Sequence, residues 1–251
     1  MTPHSEALEF APAPEPAPMS EPARLAGVFF SPGQAFADIA RRPSWWVPIV
    51  LSMLVTTVFL YLFSERVGWD NFISRQLDQS PQGQNMTAQQ RQQVLGIYAV
   101  AGKGIAIGGG LLGPLFMTAL FAAVLKFLAD TVMGAGVGFR KMMAVVAYGS
   151  LPNLLSGLLA ILVMYLKPPD EFDLSNPVML NVGVFLGPTA PVWMQRLASS
   201  FDLFTFWCMI LIAIGIAAAG RKMSFGKALG VILFPWALYV ILKTGAAAAF
   251  G

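Results

Sequence analysis

Five long apolar runs occur in this 251-residue chain, and each is close to the length that a helix needs to cross a lipid bilayer. The hydrocarbon core of a bilayer is about 30 Å thick, which a helix spans with about 20 predominantly apolar residues. The runs therefore predict transmembrane helices near residues 45–63, 104–128, 142–166, 201–219 and 228–249.

The composition excludes a water-soluble fold. Hydrophobic residues make up 56% of the chain and charged residues only 12%, whereas an ordinary soluble domain is about 25% charged. A soluble protein must cover its surface with polar groups, but a bilayer accepts an apolar exterior. We therefore expect an all-α, polytopic membrane protein in direct contact with the lipid bilayer.

A further apolar segment, residues 176–194, is interrupted by Asn181, Pro188 and Pro191. A regular helix exposed to lipid must satisfy its backbone polar groups internally, and proline lacks the donor. We expect an interfacial or partly re-entrant segment here, with a sixth span as the alternative.

The chain begins with Ala-Pro and Glu-Pro pairs that show no apolar period. Such a composition favours an extended, solvated segment. It also lacks the basic start and apolar core of a secretory signal peptide. We expect a disordered cytoplasmic tail over residues 1–24 and one membrane domain over residues 25–251.

Basic residues near the span ends indicate the orientation in the membrane. Nine of the sixteen are expected on one side, whereas the other seven lie in longer loops that also hold acidic residues. The positive-inside rule then places the amino terminus in the cytoplasm and the carboxyl terminus outside or in a lumen. Because the basic residues flank apolar runs instead of forming one patch, we expect no nucleic-acid partner. The nine residues are Arg24, Arg41, Arg42, Lys126, Arg140, Lys141, Arg221, Lys222 and Lys227.

A short amphipathic helix is predicted before the first span. Ser31 followed by Pro32 is typical of a helix start, and Phe36 and Ile39 then fall on the face opposite Asp38. This pattern favours a helix lying flat on the bilayer surface, which acts either as an anchor alone or as a docking surface for a cytosolic protein. The expected membrane-surface anchor comprises Phe36, Arg41, Arg42, Trp45 and Trp46.

Small residues are concentrated in the second predicted span, where Gly104 and Gly108, then Gly109 and Gly113, are spaced for close helix contact. Pro114 removes a backbone donor in the same stretch and predicts a kink or a half-broken helix. Close packing is one interpretation. The other is a polar site at mid-membrane, because transporters build such sites from broken helices.

Catalytic chemistry has few candidates in this sequence. The single histidine, His4, lies in the tail, which excludes histidine-based acid–base chemistry and histidine metal sites. Asp170, Glu171 and Asp173 cluster in one connection, where a solvated loop is the simpler interpretation. We expect neither an enzyme nor a cofactor.

Polar residues within or beside the apolar runs keep a transporter or channel open as the alternative. Lys103, Lys126 and Lys243 lie near predicted span ends, where a long side chain can reach water. Asn153, which follows Pro152, is the best internal candidate, because its amide could bind a freed carbonyl, a neighbouring helix or a solute.

Three stretches of the sequence resemble the Yip family of Ypt-interacting integral membrane proteins. They are FFSPGQAFADIARRPSWWVP (29–48), LLGPL (111–115) and GFRKMMAVVAYGSLPNLL (138–155), and the resemblance covers nearly all of the chain after residue 24. The family's Asp-Leu-x-Gly-Pro motif is matched by Leu111, Gly113 and Pro114, with Gly110 at the acidic position, and its Tyr-Gly pair by Tyr148 and Gly149.

The resemblance implies five spans, a cytoplasmic amino terminus and a lumenal carboxyl terminus. Eukaryotic members of this family associate with Rab-type GTPases in vesicle traffic, and the opening stretch is similar to that of prokaryotic members. We therefore expect a non-enzymatic membrane scaffold that binds protein partners or a second copy, with a small-solute transporter or channel as the alternative. The candidate packing or interaction residues are Gly109, Gly113, Pro114, Tyr148, Gly149, Pro152 and Asn153.

The orientation can be tested with introduced cysteines and a membrane-impermeant thiol reagent added to intact cells. Gly138→Cys and Ser224→Cys, which lie in the basic connections, should be shielded from the reagent, and Ser175→Cys should be labelled. Labelling of the cysteine at position 224 from outside the cell would contradict the predicted orientation.

Overall fold

The computed structural model describes residues 17–187 and 189–250. These residues form helices and connections, and no β-strand occurs among them, which confirms the predicted all-α class. The elements are α1 (Glu21–Phe30), α2 (Pro32–Arg41), α3 (Trp46–Arg66), α4 (Trp69–Gln79), α5 (Pro81–Gln84), α6 (Ala88–Met133), α7 (Phe139–Gly149), α8 (Pro152–Leu166), a 3₁₀ helix (Val182–Phe185), α9 (Val192–Ala198), α10 (Leu203–Ala219) and α11 (Phe225–Phe250).

Four helical segments are long and apolar enough to cross a membrane: Trp46–Arg66, Ala106–Met133, Phe139–Leu166 and Phe225–Ala249. They support the predicted polytopic membrane fold. The predicted span over residues 201–219 corresponds to α10, which is apolar but has only 17 residues. At 1.5 Å per residue α10 is about 25 Å long, slightly less than the hydrocarbon thickness of about 30 Å.

Helix α10 nevertheless runs from one end of the bundle to the other. At its start, the Leu203 N–H donates a hydrogen bond of 3.0 Å to the Leu180 carbonyl, in the connection after α8. Just beyond its end, the Arg221 N–H donates a bond of 2.8 Å to the Ala135 carbonyl, in the connection between α6 and α7. Because α7 and α8 together cross the bundle, these two connections lie at opposite ends.

The two ends of the bundle are named here by their charge. The connections α2–α3, α6–α7 and α10–α11 form the basic end, where α1 and α2 also pack on the bundle. The connections between α3 and α6 and between α8 and α10 form the opposite end. There the Arg66 Nε donates a hydrogen bond of 2.8 Å to the Met164 carbonyl, so the last turns of α3 and α8 meet.

Helix α10 is the centre of the packing, since it contacts α2, α7, α8 and α11. Its Gly215 permits a close approach, because an added Cβ would lie 2.6 Å from Val145 Cγ1 and 2.8 Å from Phe36 Cδ1. On α7, a Cβ at Gly149 would collide with the Ile212 side chain of α10. Small residues thus bring three helices together.

The prediction that α2 lies on the bilayer through its apolar face is wrong. The helix begins at Pro32 after Ser31, as predicted, although the Ser31 side chain makes no capping hydrogen bond. Phe36 and Ile39 are fully buried by protein, against α7 and α10. Asp38, expected on the solvated face, is buried as well. The amphipathic pattern identified an apolar face, but whether lipid or protein covers such a face depends on distant parts of the chain.

The predicted boundary of the tail at residue 24 is also wrong. Helix α1 begins at Glu21, where the Ser20 side chain accepts a hydrogen bond from the Ala23 N–H and Pro22 occupies the first turn. Arg24 is buried. The prediction for residues 1–16 lies outside the described residues.

The glycines chosen from spacing in the second span are not the ones that pack within the chain. A Cβ added at Gly104, Gly108, Gly109 or Gly113 would meet no other atom within 4 Å. A Cβ at Gly110 would lie 2.6 Å from the Thr57 Cα, so α6 approaches the backbone of α3 there. The close helix contact predicted from the spacing is therefore wrong for these four glycines within the chain, and α6 meets α3 at Gly110 instead.

Helix α6 continues without a break through Pro114, so the half-broken helix is wrong. Its 46 residues correspond to about 69 Å, which is more than twice the hydrocarbon thickness. Lys103 pairs with Glu65 at 2.7 Å. The part of α6 before this pair extends beyond the end of α3 and packs against α4.

The interrupted segment 176–194 is not a sixth span. Its described residues form bends, the short 3₁₀ helix and the start of α9. The Val182 N–H donates a hydrogen bond of 3.2 Å to the Phe201 carbonyl, which holds the segment across the start of α10.

The packing at Gly110 can be tested by substitution. Gly110→Leu should overpack the contact between α6 and α3 and lower the free energy of unfolding by about 1 to 3 kcal/mol. Thermal unfolding in a mild detergent would measure this loss. Gly109→Leu is the matched control on the adjacent face, and it should be neutral or slightly stabilising because leucine favours a helix. Equal losses at both positions would contradict this assignment.

Candidate functional site

A buried cluster of charged and polar side chains ties the amino-terminal helices to the bundle at its basic end. The Arg24 Nε donates a hydrogen bond of 2.8 Å to Asp38 Oδ2, and the two side chains are only 6% and 3% exposed. The Arg24 Nη1 lies 3.3 Å from Glu21 Oε1. The Tyr148 hydroxyl donates to the other oxygen of Glu21. One guanidinium and one phenol therefore join α1, α2 and α7.

The electrostatics of this cluster favour a charged Arg24. Burial alone lowers the pKa of Arg24, but the hydrogen bond and the charge of Asp38 outweigh it and leave that pKa raised. A buried arginine remains protonated in proteins, so it requires a partner. The cluster thus fixes one relative placement of α1 and α2.

The structure brings only one predicted site residue directly into the cluster. Tyr148 is fully buried and makes the bond to Glu21, while Gly149 beside it faces α10. Pro152 is buried in the first turn of α8, and Asn153 is exposed. Gly109, Gly113 and Pro114 lie elsewhere, on α6.

Sequence reasoning missed Glu21, Arg24 and Asp38 as a unit. Glu21 and Arg24 have the i, i+3 spacing of a helical ion pair, which was a usable signal. Asp38 is 14 residues further on and belongs to another helix. No local pattern connects it to Arg24.

Around the cluster, the surface of the basic end carries cations without acidic partners. Six of them are exposed, and none of the six makes an ion pair within residues 17–187 and 189–250. Each described carboxylate at this end is already engaged: Glu21 and Asp38 with Arg24, and Asp130 with Lys126 at 2.6 Å. We call the six residues the basic rim: Arg41, Arg42, Arg140, Arg221, Lys222 and Lys227.

The two ends differ more in net charge than in their number of basic residues, because most of the acidic residues lie at the opposite end. Over the described part of the chain, the basic end holds nine basic and three acidic residues, whereas the opposite end holds seven of each. The exposed surplus at the basic end is therefore positive, and the opposite end is formally neutral.

The predicted anchor residues have different surroundings. Arg41 and Arg42 are exposed on the basic rim, and Trp46 is 60% exposed at the start of α3. Trp45 packs partly against the core. Phe36 is enclosed by protein, so it cannot be a membrane anchor.

Metal ligation finds no support in the geometry. Among the residues that the structure describes, no group of three or more His, Cys, Asp or Glu side chains is placed to hold a metal ion. The free thiol of Cys208 is buried in α10.

Comparison with known proteins identifies the family. The chain is 28% identical over 217 residues to the membrane protein YknW of Bacillus subtilis (strain 168), an alignment that covers 86% of this chain and 87% of YknW. No solved structure was found to match the chain significantly. The Yip1 domain matches residues 26–246, which is nearly the whole membrane bundle, and the chain therefore belongs to the Yip1 domain family.

Proposed function

We propose that this protein is a non-enzymatic membrane scaffold that binds an acidic surface of a cytoplasmic partner through part of the basic rim. The observation that carries the proposal is the exposure of six cations at an end where each described carboxylate already has a partner. Unpaired surface cations attract acidic surfaces and speed association with them.

The basic rim has two parts that differ in position. Arg41 and Arg42 are separated from Trp45 and Trp46 by only two residues, and this combination is suited to lipid headgroups at the membrane surface. The other four cations lie in and beside the α6–α7 and α10–α11 connections. We assign partner binding to these four.

The two connections are held together, which gives the rim a defined shape. The Arg221 N–H in the α10–α11 connection donates a hydrogen bond to the Ala135 carbonyl in the α6–α7 connection. Within the latter, the Val137 N–H donates a bond of 2.9 Å to Asp130 Oδ1 at the end of α6. A preorganised surface loses less conformational freedom on binding than a mobile loop does.

The orientation in this proposal is amino terminus cytoplasmic and carboxyl terminus outside or lumenal. The positive surplus at the basic end supports it, because cytoplasmic connections carry the excess of lysine and arginine. A cytoplasmic rim is then available to soluble proteins.

The interior of the bundle favours a scaffold over a solute transporter. Within the described residues, the buried polar or charged residues are Arg24, Asp38 and Ser200. The first two lie at the basic end and Ser200 lies at the opposite end, while the core between them is built from apolar residues. A solute pathway would need polar groups along its length.

The proposal can be tested by neutralising the four connection cations together. Arg140→Gln, Arg221→Gln, Lys222→Gln and Lys227→Gln in one variant should remove a partner that co-purifies with the tagged full-length protein in mild detergent. Binding of the partner to the wild-type protein should also weaken as the salt concentration rises, because exposed charges are screened. Partner identification by mass spectrometry is the measurement.

The matched control removes lysine charges at the opposite end. Lys103→Gln with Lys167→Gln should leave the partner bound. Partner retention in the rim variant, or solute flux by the purified protein in liposomes that Asn153→Ala abolishes, would contradict the scaffold.

The buried cluster should contribute strongly to stability. Arg24→Met should lower the free energy of unfolding by about 3 to 5 kcal/mol, because it leaves the buried Asp38 uncompensated. The double variant Arg24→Met with Asp38→Asn should lose much less free energy of unfolding than the sum of the two single losses, because the pair acts as a unit. Thermal unfolding of the four proteins gives this cycle, with Arg42→Met as an exposed control, and simple additivity would contradict the coupling.

A further inference from the structure

A polar cavity of about 250 Å³ lies at the opposite end of the bundle, away from the basic rim. It lies between α8, the connection that leads to α10, the first turn of α10 and the last part of α11. That volume corresponds to about eight water molecules at the density of the liquid. Its polar lining includes Ser156, Asn176, Asn181, Ser199, Thr205 and Lys243.

Lys243 is a half-buried cation without an acidic partner. Its ammonium lies 3.2 Å from Ser200 Oγ and 3.5 Å from Ser199 Oγ. Both hydroxyls donate to the Arg196 carbonyl, so they accept from Lys243. Within residues 17–187 and 189–250, Lys243 makes no ion pair. Partly desolvated positive charge of this kind favours a bound anion.

A second cation strengthens the positive field at the cavity. Arg196 carries this charge on the turn whose carbonyl accepts the Ser199 and Ser200 hydroxyls that contact Lys243, and Arg196 also makes no ion pair in the described part of the chain. An anion bound near Lys243 would be attracted by both positive charges.

One carboxylate lines the cavity, and it already has hydrogen-bond donors. Asp202 Oδ1 accepts a bond of 3.0 Å from the Thr205 N–H and one of 3.3 Å from the Thr205 hydroxyl, which caps α10. It does not pair with Lys243, so the ammonium keeps donors for a ligand.

Exposed apolar side chains border the cavity. Met179, which lines the cavity, is 41% exposed, and Leu203 beside Asp202 is 58% exposed. Tyr239, whose ring centre is 5.9 Å from the Lys243 ammonium, is 60% exposed. A polar cavity bordered by exposed apolar side chains matches the two parts of a phospholipid, whose headgroup is polar and whose chains are apolar.

We propose that this cavity binds a phosphate group through Lys243, with the hydroxyl and amide side chains of the lining as further hydrogen-bond partners. A phospholipid headgroup and a small soluble phosphate ester present the same chemistry to it. Lysine binds phosphate as a compact charge with three donors.

The experiment measures thermal unfolding of the full-length protein in a mild non-ionic detergent with two probes. Phosphatidylglycerol presents the phosphate on a lipid, and glycerol phosphate presents it in solution. A ligand that binds only the folded protein raises the apparent Tm as its concentration rises, and we expect a shift of about 2 to 4 °C. Stabilisation by phosphatidylglycerol alone identifies a lipid site, and stabilisation by both probes identifies a general phosphate site.

Variants show whether any shift depends on Lys243. Lys243→Gln should lose the shift, Lys243→Arg should retain most of it, and Lys103→Gln, which removes a lysine charge at the same end, should retain it fully. If Lys243→Gln unfolds in detergent, Ser199→Ala with Ser200→Ala should reduce the shift while the cation stays. A shift that is unchanged in these cavity variants, or the absence of a shift with both probes, would overturn the proposal.

Discussion

The close approach of α10 to its neighbours is the contact on which the rest of the bundle depends. In hydrocarbon the hydrophobic effect does not drive helices together, so packing at small residues has to do so. Gly215 admits Phe36 and Val145, and Gly149 admits Ile212. Through these contacts a single short helix positions α2, α7, α8 and α11, and the two ends of the bundle acquire their different surfaces.

The two ends of the bundle differ in net charge. At the basic end the described carboxylates are used internally, which leaves the rim positive, whereas the opposite end balances its charges. Membership of the Yip1 domain family accounts for the helical membrane fold. The scaffold proposal depends instead on the basic rim itself, on the cytoplasmic orientation proposed for it and on the apolar core that lies between the ends.

Local sequence information predicted the features that depend on local physics. Apolar length indicated where helices cross, because backbone groups in hydrocarbon must be satisfied within a helix. Local sequence information could not show what covers the apolar face of α2, because Phe36 contacts Gly215, a residue almost 180 positions later. It also misplaced the packing glycine by one position, because rotation about a helix depends on the partner. The site was harder still to predict: Tyr148 was named, but its link to Glu21 spans 127 residues.

The burial of Phe36 against α10 has a consequence for how the chain is made. Synthesis proceeds from the amino terminus, so α2 emerges well before α7 and α10 exist. Until those later helices are in the membrane, α7 and α10 cannot cover the apolar face of α2, although Arg24 and the Met19 N–H can already bond to Asp38. Helices α1 and α2, although translated before the spans, are therefore among the last to reach their final contacts, and the nascent chain carries an uncovered apolar face until α7 and α10 have been inserted.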